Sequence, residues 1–464
     1  MTSTERIVIF FAKCIAWGIK ITNRGAGATW PGEIALRLKP HILKEFAKQH
    51  IQIILVAGTN GKTTTTKMID TILKKNGKKV HRNDTGANLD NGVVSAFISD
   101  CTLFGNLRSQ YFIFEVDEAT LPVLLRHFHP HILVLLNLFR DQLDRYGEVD
   151  TIAEKWTQVF SMLPSETRLI INADDPQLGF IGQQVVAARL HLNLKDLFLT
   201  QRMNESVENG PHESAKANVQ YFGLNDPEAF SPYVDHATDS IYCPNCGNRL
   251  TFGGIYFSHL GKYACGQCGF IHPELSIKSK DITYPLEGVY NRYNTLAAYL
   301  VGREVGLDNE LIQQALSDFI PAFGRMEEIN YHRRKIRILL SKNPTGWNES
   351  LRTMLTSEKK GPVLLVLNDR IPDGRDVSWI WDTDIEMLSD FEYPIVASGD
   401  RAYDLGLRLK YSGISNSKFV TFERLEEAIE KIVSVSSADE TIWILPTYSA
   451  MLEIRSILVG RKIL

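Results

Sequence analysis

The sequence contains no stretch approaching the roughly 20 consecutive apolar residues that cross a bilayer. The nearest run, Ile7 to Ile19, is shorter and carries Lys13. No small-residue cleavage pattern follows it, so it does not read as a signal peptide. Two readings of that run remain: an amphipathic helix packed on the body of the protein, which is preferred, or a helix lying near a membrane surface. A charge excess of one sign is also lacking. The 51 basic and 54 acidic residues leave a net charge of -3, which gives no global bias toward nucleic acid or an anionic membrane. Cysteine is scarce, with six in 464 residues, and without a secretion signal this argues against a disulfide scaffold. The length allows two or three domains with full cores, and no internal repeat is apparent.

Four of the six cysteines form one pattern, Cys243-Pro-Asn-Cys246 followed by Cys265-Gly-Gln-Cys268. This is the spacing of a four-thiolate zinc ribbon, with Gly247 and Gly269 directly after each second cysteine, where the turn toward a metal favours glycine. Two disulfides are the competing reading. A four-cysteine site has no open coordination position, so its Zn²⁺ is expected to be structural. Cys14 and Cys101 are expected to be buried small hydrophobes.

The richest local signal is Val56-Ala57-Gly58-Thr59-Asn60-Gly61-Lys62-Thr63-Thr64, between the apolar run Ile51 to Val56 and a helical pattern that begins near Thr64. Glycines let a backbone wrap phosphate oxygens, and the amide N–H groups and helix N-terminus then face the negative charge. Lys62 is placed to reach the β and γ phosphates of ATP and Thr63 to ligate Mg²⁺. The general pattern has glycine where this chain has Val56, so the match is to a shortened variant. Strands are expected at Ile51–Val56, Tyr111–Val116, Ile132–Asn137 and Leu169–Asn172, alternating with amphipathic stretches as in a doubly wound α/β domain. Residues 201–220 are polar and read as a loop or the edge of an insertion. The ribbon, at about 240–273, interrupts this domain, and a helix at Tyr290 to Val301 completes it. A second α/β unit after Arg325 has strand candidates at Ile336–Leu340, Val363–Leu367, Ile395–Ala397, Phe419–Thr421 and Ile442–Leu445. The expected division is residues 1–48 (helix and glycine-rich loop), 49–326 (central ATP-binding domain) and 327–464 (C-terminal α/β domain).

Carboxylates cluster at Glu115-Val-Asp117-Glu118, at the carboxyl end of a predicted strand, where α/β sheets place ligands. Glu115 is the preferred second Mg²⁺ ligand, with Glu118 as the alternative. These residues describe an ATP- and Mg²⁺-dependent enzyme of unspecified reaction.

A set of ordered motifs resembles the Mur ligases, which join an amine to a carboxylate through an acyl phosphate. They are Gly58-Thr-Asn-Gly-Lys-Thr-Thr, Glu115, Asn137 with Asp141 and Asp144-Arg145, Asn172-Ala-Asp-Asp-Pro176, Tyr290-Asn291-Arg-Tyr-Asn294 and Gly324-Arg325-Met-Glu327. The resemblance covers nearly everything from residue 51 onward. It implies a nucleotide site formed by Thr59, Asn60, Gly61, Lys62, Thr63 and Thr64 with Asn291, Asn294 and Arg325. It also implies a catalytic role for Lys62, Glu115 and Lys155, the last matching a lysine that relatives can carbamylate to bind a second metal. Mur ligases usually begin with a domain of about a hundred residues for a UDP-linked substrate; only 50 residues precede the first strand here, so such a substrate is not expected. The ribbon, Arg24-Gly-Ala-Gly-Ala-Thr-Trp-Pro-Gly32, Lys342-Asn-Pro-Thr-Gly-Trp-Asn348, Asp373-Gly-Arg-Asp-Val-Ser-Trp379 and Tyr448-Ser-Ala-Met-Leu-Glu-Ile-Arg455 are similar to the MurT family. That likeness implies the synthetase subunit of a lipid II isoglutaminyl synthase, partnered by a GatD-type glutaminase and acting at the inner face of the cell membrane. Neither Cys14 nor Cys101 sits in a glutaminase-like elbow. An aspartate of the C-terminal domain is expected to complete the partner's triad, with Asp376 first, Asp373 second and Asp369 third. The alternatives are a free-standing Mur-type or folylpolyglutamate-type amino acid ligase and a non-catalytic, zinc-stabilised scaffold.

Overall fold

The computed structural model describes residues 1–22, 29–83, 87–140, 149–204, 217–231, 235, 238–277, 279–321 and 324–460. Residues 24–28 of the glycine-rich loop, the Asp141 and Asp144-Arg145 motif and residues 205–216 of the polar stretch lie outside them.

The first sheet contains β1 (Gln52–Ala57), β2 (Val80–Arg82), β3 (Tyr111–Val116), β4 (Ile132–Leu135), β5 (Arg168–Asn172) and β6 (Val219–Phe222) in the order β2-β3-β1-β4-β5-β6. All its pairings are parallel. The apolar run of β1 is buried on both faces, as a central parallel strand requires. Ile53 and Leu55 join one core with Phe97, Phe112 and Phe114. Ile54 and Val56 join the other with Met68, Ile72, Leu296 and Leu300. The helices Lys62–Lys75 and Val289–Glu304 therefore cover one face and Asp90–Asp100 the other.

The described residues among the first 50 form three helices, Ser3–Thr22, Trp30–Leu38 and Ile42–Ala47, on the second of these faces. Gly32 approaches the helix Asp90–Asp100 so closely that a Cβ there would lie 1.8 Å from the Asn91 carbonyl oxygen, and its amide donates to Ser95 Oγ. The first helix packs through Val8, Ile9 and Ala12 but leaves Ile7, Phe10, Phe11 and Trp17 exposed. Cys101 is buried as expected; Cys14 is exposed, which corrects its reading as a buried hydrophobe, because it lies on the outward face of this helix.

Between β6 and the helix Val289–Glu304, the antiparallel hairpin β7 (Thr251–Phe257) and β8 (Leu260–Ala264) carries the four cysteines at its base. The second sheet contains β9 (Arg325–Tyr331), β10 (Arg334–Leu339), β11 (Val363–Val366), β12 (Ile395–Ser398), β13 (Phe419–Thr421) and β14 (Thr441–Pro446) in the order β13-β12-β11-β14-β10-β9. Only the β9–β10 pairing is antiparallel. Its turn places His332 and Arg333 at φ 45° and 62°, the positive pair that lets a two-residue hairpin follow the strand twist.

Candidate active site

A cleft with about 700 Å³ of open space lies between the two sheets. Its floor is the loop between β1 and the helix Lys62–Lys75. Gly58 and Gly61 have φ 138° and 89°, in the region glycine tolerates. Neighbouring atoms enforce the choice: a Cβ on Gly61 would sit 2.1 Å from Asn294 Oδ1, and one on Gly58 would sit 2.9 Å from the Asn137 backbone. Asn137 fixes the loop reciprocally. Its Oδ1 accepts from Asn60 N at 2.8 Å, and its Nδ2 donates to Asn60 O at 3.1 Å. Thr59 Oγ1 accepts from Phe139 N at 3.0 Å, and Thr65 Oγ1 donates to Asn294 Oδ1 at 3.2 Å.

Lys62 Nζ donates to the Gly58 and Thr59 carbonyls and lies 3.3 Å from Glu118 Oε2 in a buried ion pair. Burial alone would raise the Glu118 carboxyl, but the charges of Lys62 and Lys342 hold it below the usual range. Lys342 follows β10 and lines the cleft with Thr345 and Gly346, at the start of the helix Pro344–Thr356. Asn343 caps that helix by accepting from Gly346 N at 2.8 Å, and its Nδ2 reaches across the cleft to Asn60 Oδ1 at 3.2 Å. Arg325, the first residue of β9, is a third cleft cation. Burial lowers its pKa, and Glu115, Tyr290 and Tyr448 work against that shift. Glu115 is buried at the end of β3, where Asn83 ties its amide and carbonyl. The fold thus gathers Lys62, Lys342 and Arg325 with Glu115 and Glu118 around one loop.

Most of the residues expected at the site converge here. Asn60, Gly61, Thr64, Asn294 and Arg325 line the cleft, while Thr59, Lys62 and Thr63 complete its loop. Asn291 stands behind Asn294, accepting from its Nδ2 at 3.3 Å and donating to Glu287 O. Lys155 is exposed on the helix Val149–Phe160 and is not part of the cleft lining. Asp376 is exposed on the loop after β11, where Ser378 N donates to it at 2.8 Å. Asp373 is buried against Ser449 at the start of the helix Tyr448–Val459, and Asp369 pairs with Arg401 at 3.2 Å. Roles for Asn343 and Glu349 were not legible. Asn-Pro at a helix start is a capping signal that marks the first. Nothing local marks Glu349, which burial pushes up to about 7 despite its Arg352 partner.

The four cysteine ligand atoms lie within 4.8 Å of one another. The Cys243–Cys268 and Cys246–Cys265 sulfur separations are 3.6 and 3.5 Å. These are too long for a disulfide of about 2.05 Å and near the ~3.8 Å edge of a tetrahedron with ~2.3 Å metal–sulfur bonds. The donor set fits a tetrahedral metal. The hairpin is bound to the central domain through the motif after β5. Asp174 accepts from Tyr293 Oη at 2.6 Å, pairs with His272 Nε2 at 2.7 Å and accepts from Leu224 N at 2.8 Å. Asp175 caps the helix Pro176–Leu190 and accepts from Leu138 N.

The parallel sheet, phosphate-type loop, facing C-terminal sheet and ringed carboxylates define an ATP-dependent ligase of the Mur type. The profile of the Mur ligase middle domain matches residues 56–204, and that of the MurT ligase C-terminal region matches 340–451. Subunit MurT of the glutamine-hydrolysing lipid II isoglutaminyl synthase of Staphylococcus aureus (strain COL) is 33% identical over 406 residues, 84% of each chain. Its counterpart from Streptococcus pneumoniae (strain ATCC BAA-255 / R6) is 29% identical over 461 residues, 96% of this chain and 95% of that one. Among solved structures, a pseudomurein peptide ligase type C from Methanothermus fervidus superposes with a TM-score of 0.63 at 23% identity, covering 90% of this chain and 80% of that one. The chain belongs to the MurT family.

Proposed function

We propose that this chain is the synthetase subunit of a glutamine-hydrolysing lipid II isoglutaminyl synthase. It amidates the α-carboxylate of D-glutamate in the peptidoglycan stem peptide, with ammonia supplied by a GatD-type glutaminase. Hydroxide is a poor leaving group, so the carboxylate must be activated. A carboxylate oxygen attacks the γ phosphorus of ATP, the bond to the bridging oxygen breaks and ADP leaves. Ammonia then attacks the acyl carbon, inorganic phosphate departs and the nitrogen loses a proton. The observation that carries this reading is the meeting of Lys62, Lys342 and Arg325 at one glycine loop, three cations placed for charge that develops on a transferred phosphoryl group. Thr63 and Glu115 are the residues that would hold Mg²⁺, which neutralises phosphate charge when bound. Cys243, Cys246, Cys265 and Cys268 would hold a structural Zn²⁺.

Exposed Asp376 is assigned to the partner's Cys-His pair, because a triad needs a third group to orient the imidazole and buried Asp373 is occupied by Ser449. Lys155 remains the candidate for carbamylation. The substrate places the chain in the cytoplasm at the inner face of the membrane, and among the described residues no helix is long and apolar enough to cross it.

The test is amidation of lipid II by the purified chain with ATP and Mg²⁺, supplied with ammonium chloride or with glutamine and the glutaminase. The expected result is product with ammonium alone, product with glutamine only when the partner is present, and an Asp376→Asn variant that loses about 10²-fold or more of the glutamine-driven rate but keeps the ammonium-driven rate. Absence of product under every condition would overturn the assignment in favour of a free-standing amino acid ligase.

A further inference from the structure

The helix Ser3–Thr22 is apolar on two sides. Val8, Ile9 and Ala12 are buried against the body, whereas Ile7, Phe10, Phe11, Cys14 and Trp17 are exposed and recur at helical spacing along one outward stripe. Exposure reaches 55% for Ile7 and Phe11 and 69% for Trp17. An exposed apolar and aromatic stripe of this kind marks a partner or membrane contact, and the described residues of this chain cover only the opposite side of the helix. The loop at Gly105 lies against Met1 and Ile9 and extends the apolar surface with exposed Leu103 and Phe104.

Charge separates the possible occupants. Residues 1–50 hold eight Lys and Arg (positions 6, 13, 20, 24, 37, 39, 44 and 48) against three Glu (5, 33 and 45), a formal +5. The whole chain is -3, so residues 51–464 carry -8. A basic segment with a stripe of Phe and Trp, on an otherwise acidic protein, is complementary to an anionic bilayer. Aromatic side chains settle at the headgroup level, and Lys and Arg near such a surface strengthen the attraction to it. The aspartate assigned to the glutaminase lies in the other sheet's domain.

We propose that the outward face of the helix Ser3–Thr22 is a membrane-docking surface, lying flat on anionic phospholipid with Phe10, Phe11 and Trp17 inserted at the interface. The surface does not depend on the amidation reading, since it concerns bulk lipid and not the reacting head group.

The test is co-sedimentation of the full chain with sucrose-loaded vesicles free of lipid II, either phosphatidylcholine alone or phosphatidylcholine with phosphatidylglycerol. The variant is Phe10→Ser/Phe11→Ser/Trp17→Ser, with Met162→Ser, at another exposed apolar position, as a control. Binding should appear with phosphatidylglycerol, weaken with salt, fall at least tenfold in the triple variant and persist in the control. Circular dichroism and the ammonium-driven rate on detergent-dispersed substrate should be unchanged in the variant. The proposal is overturned by equal sedimentation of wild type and triple variant, or by no binding to anionic vesicles at low salt. It is also overturned if the triple variant converts a dimer to a monomer or loses the glutaminase subunit, since either result would assign the face to a protein.

Discussion

The two walls of the cleft are built differently. The wall from the first sheet is shaped by a backbone loop: its glycines take positive φ, and Asn137 holds Asn60 by both amide and carbonyl. The wall from the second sheet is mostly side chain, with Arg325 from the start of β9, Lys342 after β10 and Glu349 from the middle of a helix. Asn343 to Asn60 is a direct bond between the loop and the opposite wall. A backbone wall must be prefolded to exist at all, whereas a side-chain wall acquires its chemistry from how two domains meet.

The comparison can be broken most forcefully at Lys62. Lys62→Ala should lower ammonium-driven amidation by about 10³-fold, with the far-ultraviolet spectrum intact; a loss below tenfold would remove the loop from the chemistry. On the opposite wall, Arg325→Ala should cost about 10²-fold in kcat with a smaller change in KM for ATP. A pure KM effect would make Arg325 a binding residue only. The smallest expected effect is on stability. Burial raises the Glu349 carboxyl from 4.5 to about 7, so between those values the folded chain holds a proton that the unfolded chain has released. Stability contributed by this group is therefore complete below about pH 4.5 and lost as pH rises through about 7. Glu349→Gln should flatten that decline, raising Tm relative to wild type by about 2–4 °C at pH 8, with the difference vanishing near pH 5. Parallel Tm profiles across this range would refute the account.

The same contrast governs how much could be read from residues alone. The loop was legible because its conformation demands glycine and its strand demands an uninterrupted apolar run, two local constraints that leave a visible mark. The cysteine cluster was legible for the same reason. β2 and β9 were not. Val80–Arg82 is three residues long, and Arg325–Tyr331 reads as mixed polar sequence because it pairs on one side only, at a sheet edge. Glu349 resembles any helical glutamate until Asp235 and Asp384 gather around its partner Arg352. The first helix was recognisable as a helix, but which side faces outward is set by the packing of Val8, Ile9 and Ala12.

Asp174 ties the four-cysteine insertion to the central domain. Its carboxylate is buried and held at once by His272, which follows the last of the four cysteines, by Tyr293 in the cleft and by the amide after β6. The hairpin also covers it through Gly261 N, which donates to its carbonyl, while Tyr263 Oη donates to Ala173 O. Without the four-cysteine insertion this buried carboxylate would keep Tyr293 Oη and the Leu224 amide but lose His272, at a cost of about 1–3 kcal/mol for a buried acceptor that loses a partner. The insertion is thus built into the central domain, and its outer surface can be altered far more easily than the whole can be removed.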